Sequence, residues 1–309
     1  MAEGGESLSL ITILMVLAIA VSGCLVVHVL QRDKVPLWAG DSNNPQRQRE
    51  DAMLRRMKDL HGFTIGATDG DIGTVKECYF DDVSYTVRYV VVDTGGWLAE
   101  RKVLLSPIAL RAMDWEHQRI TAALTKAQVE QSPNIDTDKP VSRQHETAYA
   151  DYYGYTPYWA GSYLWGAYPY PYLGSEPALS AADLERERRW NWEAKERGDP
   201  HLRSSRAVTG YYIQATDGDI GHVEDFLVDD HSWAIRYMLV DTTNWWPGKK
   251  VLVAPAWIAR VDWAESKVHV TVTRAQIKNS PEYDPARPVE RAYETQLYGH
   301  YGQPRYWGE

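Results

Sequence analysis

The stretch Ala67-Thr68-Asp69-Gly70-Asp71-Ile72-Gly73 occurs a second time, unchanged, at Ala215-Thr216-Asp217-Gly218-Asp219-Ile220-Gly221. Working outward from it, a shift of 148 residues aligns residues 62–159 with 210–307 without a gap, and about 40 of those 98 positions are identical. The matches include Asp81-Asp82 with Asp229-Asp230, Arg88-Tyr89 with Arg236-Tyr237, and Val92-Asp93-Thr94 with Val240-Asp241-Thr242. A period this long is a whole small domain used twice. With 309 residues, 44% hydrophobic and 24% charged, the chain has the length and apolar content for two packed domains.

Each copy reads as strand-rich. Phe63-Thr64-Ile65 leads into Asp69-Gly70, a hairpin-turn dipeptide whose glycine supplies a positive φ. The next strand runs from Asp71 toward Phe80, with Gly73 as a bulge. Val87 to Asp93 is apolar on both faces at its end and is expected to be central. Lys102 to Leu105, Met113 to Trp115 and Ile120 to Leu124 follow; in the second copy Val268, Val270 and Val272 alternate with His269, Thr271 and Thr273. Five or six short strands suit a small closed barrel, which removes exposed edges. Thr125 and Thr273 read as N-caps of a short helix ended by Ser-Pro, and Pro140 and Pro288 as first residues of a second helix reaching Tyr153 and Tyr301. The expected fold is mainly β: two tandem six-stranded barrels, over 56–159 and 205–309, each with short C-terminal helices.

The remaining segments differ in character. From Leu8 to Leu30 the chain carries no formal charge over a length of about 34 Å as a helix, enough to span a bilayer. Glu3 and Glu6 precede it, and Arg32, Lys34, Arg47 and Arg49 follow, so its C-terminal side is expected in the cytoplasm. Val21-Ser22-Gly23-Cys24 resembles a lipoprotein cleavage box, but the apolar run continues beyond Cys24, and a retained anchor is the better reading. A start at Met53 would remove the anchor and leave a cytoplasmic protein. Residues 31–55 read as a polar tether. Residues 160–204 read as a linker: Tyr149 to Gly174 is dense in Tyr, Trp, Pro and Gly and is expected to strap over the barrels, and Ala181 to Arg197 reads as a charged helix capped by Ser180.

The combination I-x-A-T-D-G-D-I-G-x-V, the following Asp-Asp pair, the R-Y-x-x-V-D-T strand and the V-L-x-x-P return resembles the PRC-barrel family. That family includes the cytoplasmic domain of the photosynthetic reaction-centre H subunit, and a related barrel forms part of a ribosome-maturation factor. The resemblance covers roughly residues 57–124 and 206–272 and implies a six-stranded docking or assembly barrel. The second barrel and a dissimilar anchor depart from the H subunit.

Residues that could carry chemistry are few. Asp69, Asp71, Asp81 and Asp82, with Asp217, Asp219, Asp229 and Asp230, form the best acidic set for a cation, yet the calcium-loop spacing is absent and Asp-Gly is ordinary turn chemistry. Arg88 with Asp93, and Arg236 with Asp241, read as structural ion pairs. The nine His lack metal-ligand spacing, Ser106 and Ser132 lack a nucleophile elbow, and Cys78 aligns with Phe226 as a core position does. No catalytic, cofactor-binding or metal residue is therefore assigned, and no enzyme activity is expected. A net charge of −9 argues against nucleic acid as partner. The expectation is a single-pass protein of a bacterial inner membrane that presents two barrels to the cytoplasm for docking unknown protein partners or further copies of itself. The alternatives are a soluble accessory of stress-related or RNA-processing type, and a reaction-centre H-like protein.

Overall fold

The computed structural model describes residues 53–98, 101–133, 141, 143–173, 182, 185, 189, 201–243 and 249–307. The expected anchor at 8–30 lies outside the described residues, as does nearly all of the expected charged helix at 181–197. Among the described residues no helix is long and apolar enough to cross a membrane.

The fold is mainly β, with two seven-stranded sheets. In the first repeat β2 (Thr64–Ala67), β3 (Gly70–Asp81), β4 (Thr86–Asp93), β5 (Lys102–Leu105), β6 (Leu110–Asp114) and β7 (Arg119–Ala122) take the order β5-β4-β3-β2-β7-β6. The second repeat reproduces it with β9 (Tyr212–Ala215), β10 (Gly218–Asp229), β11 (Ile235–Asp241), β12 (Lys250–Val253), β13 (Ile258–Asp262) and β14 (Lys267–Val270). In each repeat the first of these strands, β2 or β9, lies parallel to the last, β7 or β14, and the other pairs are antiparallel. The strand expected to be central is so: seven of the eight residues of β4 are buried between β3 and β5.

Several expectations change. The hydrogen-bonded path does not close into a barrel but ends at β5 and β6. A single 3-10 turn, Pro107–Ala109, joins those strands with Ser106 as its cap, and it turns the chain without a ladder between them. The tight turn is centred on Thr68-Asp69, with Gly70 paired to Ala67 as the first residue of β3. The second helices begin at Arg143 and Arg291, past Pro140 and Pro288, although they end at Tyr153 and Tyr301 as expected. The short helices capped by Thr125 and Thr273 form, each with a reciprocal capping box to Gln128 or Gln276.

The bulge falls on Ile72, beside Gly73 rather than on it, since Gly73 pairs with Ile65 and Asp71 with Gly66. Gly73 is needed for a different reason. A Cβ there would stand 2.0 Å from the Asp93 carbonyl oxygen, and at Gly221 the same distance from that of Asp241. Only glycine lets the long strand cross so close to the end of its neighbour.

The seventh strand of each sheet comes from the other repeat. β1 (Leu54–Arg56) pairs with β10, and β8 (Leu202–Ser204) pairs with β3. The segments read as tether and linker thus each donate an arm to the opposite repeat. Two ion pairs fix the exchange: Arg203 with Asp82 at 2.7 Å and Arg55 with Asp230 at 3.3 Å. Each arginine also lies over an indole, Arg203 on Trp263 and Arg55 on Trp115. Between the repeats, Val87 N donates to Trp233 O (2.9 Å) and Ile235 N donates to Tyr85 O (2.7 Å). The 148-residue shift exchanges these two bonds, so a local two-fold axis passes between Thr86 and Ala234. Phe80 and Phe226 meet near it, ring centroids 5.5 Å apart, and join the apolar cores.

This exchange predicts that a chain cut by a protease at a site engineered between residues 175 and 200 holds together. The two halves should co-elute in size-exclusion chromatography without denaturant. Separate elution would mean that the arms contribute little.

Candidate functional site

On the same local axis lies a cleft of about 960 Å³, lined almost entirely by equivalent residues of the two repeats. Met57, Lys58 and His61 are matched by Ser205, Arg206 and Thr209, and Lys76, Glu77 and Cys78 by Glu224, Asp225 and Phe226. The short turns that follow the exchanged arms, Met57–Leu60 and Ser205–Val208, bring these residues to the long strands of the opposite repeat. The arm exchange therefore builds the cleft.

Its walls carry four cations, Lys58, Lys76, Lys102 and Arg206, and four carboxylates, Asp59, Glu77, Glu224 and Asp225. Lys58 crosses from one repeat to the other, with Nζ 3.4 Å from Glu224 and 4.0 Å from Asp225. Lys250 also pairs with Glu224. Burial disfavours the Glu224 charge, but Lys250 and Lys58 outweigh it and hold the carboxyl below its ordinary value.

Asp225 is different. It is 3% exposed. Its Oδ1 accepts from the Lys58 and Phe226 amides, and its Oδ2 has no hydrogen-bond partner among the described residues. Burial pushes its pKa up to about 6, against those amides and Lys58. The equivalent Glu77, one methylene longer, instead accepts from the Ser204 hydroxyl. Cys78, beside it, is a core residue as its alignment suggests: it is 1% exposed, and burial pushes the thiol up to about 12.

The acidic residues singled out in the sequence do not converge, and no cluster of three or more metal-ligand side chains occurs among the described residues. Asp69 and Asp217 cap the helix starts at Lys126 and Arg274 through their backbone amides. Asp71 pairs with Arg119 on the surface. Asp82 and Asp230 hold the exchanged arms. Asp81 and Asp229 accept amides in their turns and pair with Arg88 and Arg236.

The partners first assigned to those arginines are therefore wrong. Arg88 and Asp93 lie five residues apart on one strand, which places them on opposite faces about 16 Å apart. Asp81 sits opposite Thr86, and Arg88 is the extra residue of a β-bulge between Val87 and Tyr89, where its side chain reaches Asp81. Asp93 instead pairs with Lys76 at 3.3 Å, and Asp241 accepts from Thr243. The Arg88–Asp81 pair, 2.6 Å apart, is 3% exposed on both sides. Burial opposes the Asp81 charge, but Arg88 and Ser84 prevail and hold its carboxyl below the ordinary range.

Residues 55–129 match the family model described as PRC-barrel domain. The first repeat is thus a PRC-barrel domain, and the second repeats its strand order. Over 90 residues the chain is 39% identical to an uncharacterized protein of Deinococcus radiodurans, a match that covers 28% of this chain and 30% of that protein.

Two stability experiments follow. Asp81→Ala leaves Arg88 buried without its carboxylate and should cost about 3–5 kcal/mol in denaturant unfolding, as broken buried pairs do. Asp225→Asn has a pH signature. A raised folded-state pKa means that the native state binds the extra proton between pH 4 and 6, so stability from this group falls as pH rises through about 6. Asp225→Asn should then be more stable than the parent at pH 8, with the gap closing toward pH 4. An equal gap at both pH values would contradict the burial argument.

Proposed function

We propose that this chain is a non-catalytic docking and assembly protein whose PRC-barrel domain and its duplicate act as one unit. The observation that carries the reading is the cleft on the local axis. Its lining is drawn from both repeats and exists only while the arms are exchanged. A wall with both signs of charge at close spacing suits a protein surface of complementary pattern, because a mispaired charge there is costly and so enforces choice of partner. It suits a nucleic-acid backbone poorly, since the cations are balanced by carboxylates and the whole chain carries −9.

In this proposal the apolar run from Leu8 to Leu30 anchors the chain in a bacterial inner membrane, and the basic residues after it keep the repeats in the cytoplasm. The soluble accessory role is the competing reading.

The test combines location with contact. Untagged full-length protein should stay with carbonate-washed membranes, and a photo-crosslinking residue at Lys76 or Arg206 should give a discrete protein adduct in cells. The same residue at Glu265, away from the cleft, should not. Recovery of the chain in the soluble fraction would remove the anchor. A crosslink to RNA, or equal adducts at all three positions, would remove the docking role of the cleft.

A further inference from the structure

The two repeats build the same constellation behind their second helices, and among the described residues one copy is filled and the other is not. In the first, the Arg88 guanidinium lies 3.6 Å from the centre of the Tyr158 ring, and the Tyr158 hydroxyl donates to Glu146 at 2.9 Å. In the second, Arg236 lies 4.2 Å from the Tyr306 ring, and the Tyr306 hydroxyl donates to Glu294 at 2.8 Å. Both glutamates are buried, and Arg236 keeps its ion pair with Asp229 at 2.9 Å.

What differs is the cover. The aromatic strap after the first repeat folds into a tight turn, with Tyr163 N donating to Gly166 O (3.0 Å) and Trp165 N to Tyr168 O (2.9 Å). Gly166 takes φ +75, and Gly161 lies so close to it that a Cβ would collide with its carbonyl. This knob seats on the first constellation. Leu164 O accepts from Arg88 Nη1, and the Trp165 ring lies 4.9 Å from the same guanidinium. The indole is buried, and its N–H donates to Ser232 O at 2.8 Å. A space of only about 20 Å³ is left beside Arg88.

Nothing equivalent covers the second constellation among the described residues. A groove of about 750 Å³ lies against Arg236, with His231, Pro288, Val289 and Tyr306 along it, and Leu164 and Tyr170 of the strap on its near side. The Arg236 side chain is 22% exposed where that of Arg88 is 3%, and Tyr306 is 37% exposed where Tyr158 is 8%. Arg236 bonds through Nε and Nη2 only; its Nη1, the atom whose counterpart holds the Leu164 carbonyl, has no hydrogen bond among the described residues.

We propose that this groove binds a short turn-forming peptide segment of a partner protein, with an aliphatic-Trp pair presented as Leu164-Trp165 is. A backbone carbonyl of that segment accepts from Arg236 Nη1, and its indole stacks beside the guanidinium over Tyr306. The filled first constellation is the template for both contacts. The proposal rests on the docking reading of the molecule but places the contact away from the cleft on the local axis, so either site can fail without the other.

The probe is an acetylated, amidated peptide copying residues 161–168, titrated into the full-length protein by calorimetry, with a Trp-to-Ala version as control. Saturable one-to-one binding is expected, weakened about tenfold or more in the control peptide and in Arg236→Lys. That substitution keeps a cation against Asp229 but loses the planar fork, so the fold is retained. A photoreactive version of the peptide should label residues 288–307 or 229–236, which reports the site without any substitution. Absence of saturation at millimolar peptide, full affinity in Arg236→Lys, or labelling of Lys58 and Glu224 would overturn the proposal. So would sedimentation showing that the protein alone dimerises and that Arg236→Lys abolishes the dimer, because the occupant would then be the strap of a second copy.

Discussion

Each sheet of this protein is one strand short on its own, and the missing strand is held by the other repeat. Everything near the local axis depends on that exchange. The three-residue arms Leu54–Arg56 and Leu202–Ser204 cover the long strands β10 and β3, which would otherwise expose unpaired backbone groups. Tyr85 and Trp233 occupy left-handed backbone conformations, φ 51 and 60, that bulky side chains seldom adopt. Their carbonyls are the acceptors of the two hydrogen bonds across the axis. The strained turns and the contact between repeats are therefore one device, each requiring the other.

The symmetry is of the backbone more than of the chemistry. Equivalent positions line the cleft, yet Glu77 reaches a serine hydroxyl while Asp225 is held by two backbone amides. Cys78 is matched by Phe226, and Lys76 by Glu224, where the duplication has reversed the charge. A duplicated chain can diverge in this way, which two identical subunits cannot. The result is an asymmetric cleft, to which the strands of the first repeat bring Lys76, Glu77 and Lys102 and those of the second Glu224 and Asp225.

How much of this could be read from the residues depends on range. Strands such as Val87 to Asp93 announce themselves by local pattern, as do the capping boxes at Thr125 and Thr273. The exchanged arms do not, because three residues are too few for periodicity. A signal was present all the same: Leu54-Arg55 and Leu202-Arg203 are identical and stand 148 residues apart, just outside the aligned block. The partner of Arg88 was also within reach. Strand alternation alone puts Asp93 on the opposite face, whereas choosing Asp81 needs the register of the β3–β4 pair. The cleft and the covered Arg88 were out of reach, since both depend on which repeat receives which arm and strap. The chain's resemblance to the PRC-barrel family holds for the first repeat, while closure into a complete barrel does not extend to the strand ladder.

The exchange also sets an order of events during synthesis. Arg55 and its carboxylate partner Asp230 are 175 residues apart in the chain. At about 5–20 residues per second, the first arm waits on the order of 10–30 s after leaving the ribosome before its sheet exists. The first repeat must meanwhile wait for β8, made just before the second repeat begins. For that interval the long edge of β3 is open on a half-made molecule. The arginines within both arms, in Leu54-Arg55-Arg56 and Leu202-Arg203, place charge on the segments that would otherwise pair with a neighbouring nascent chain.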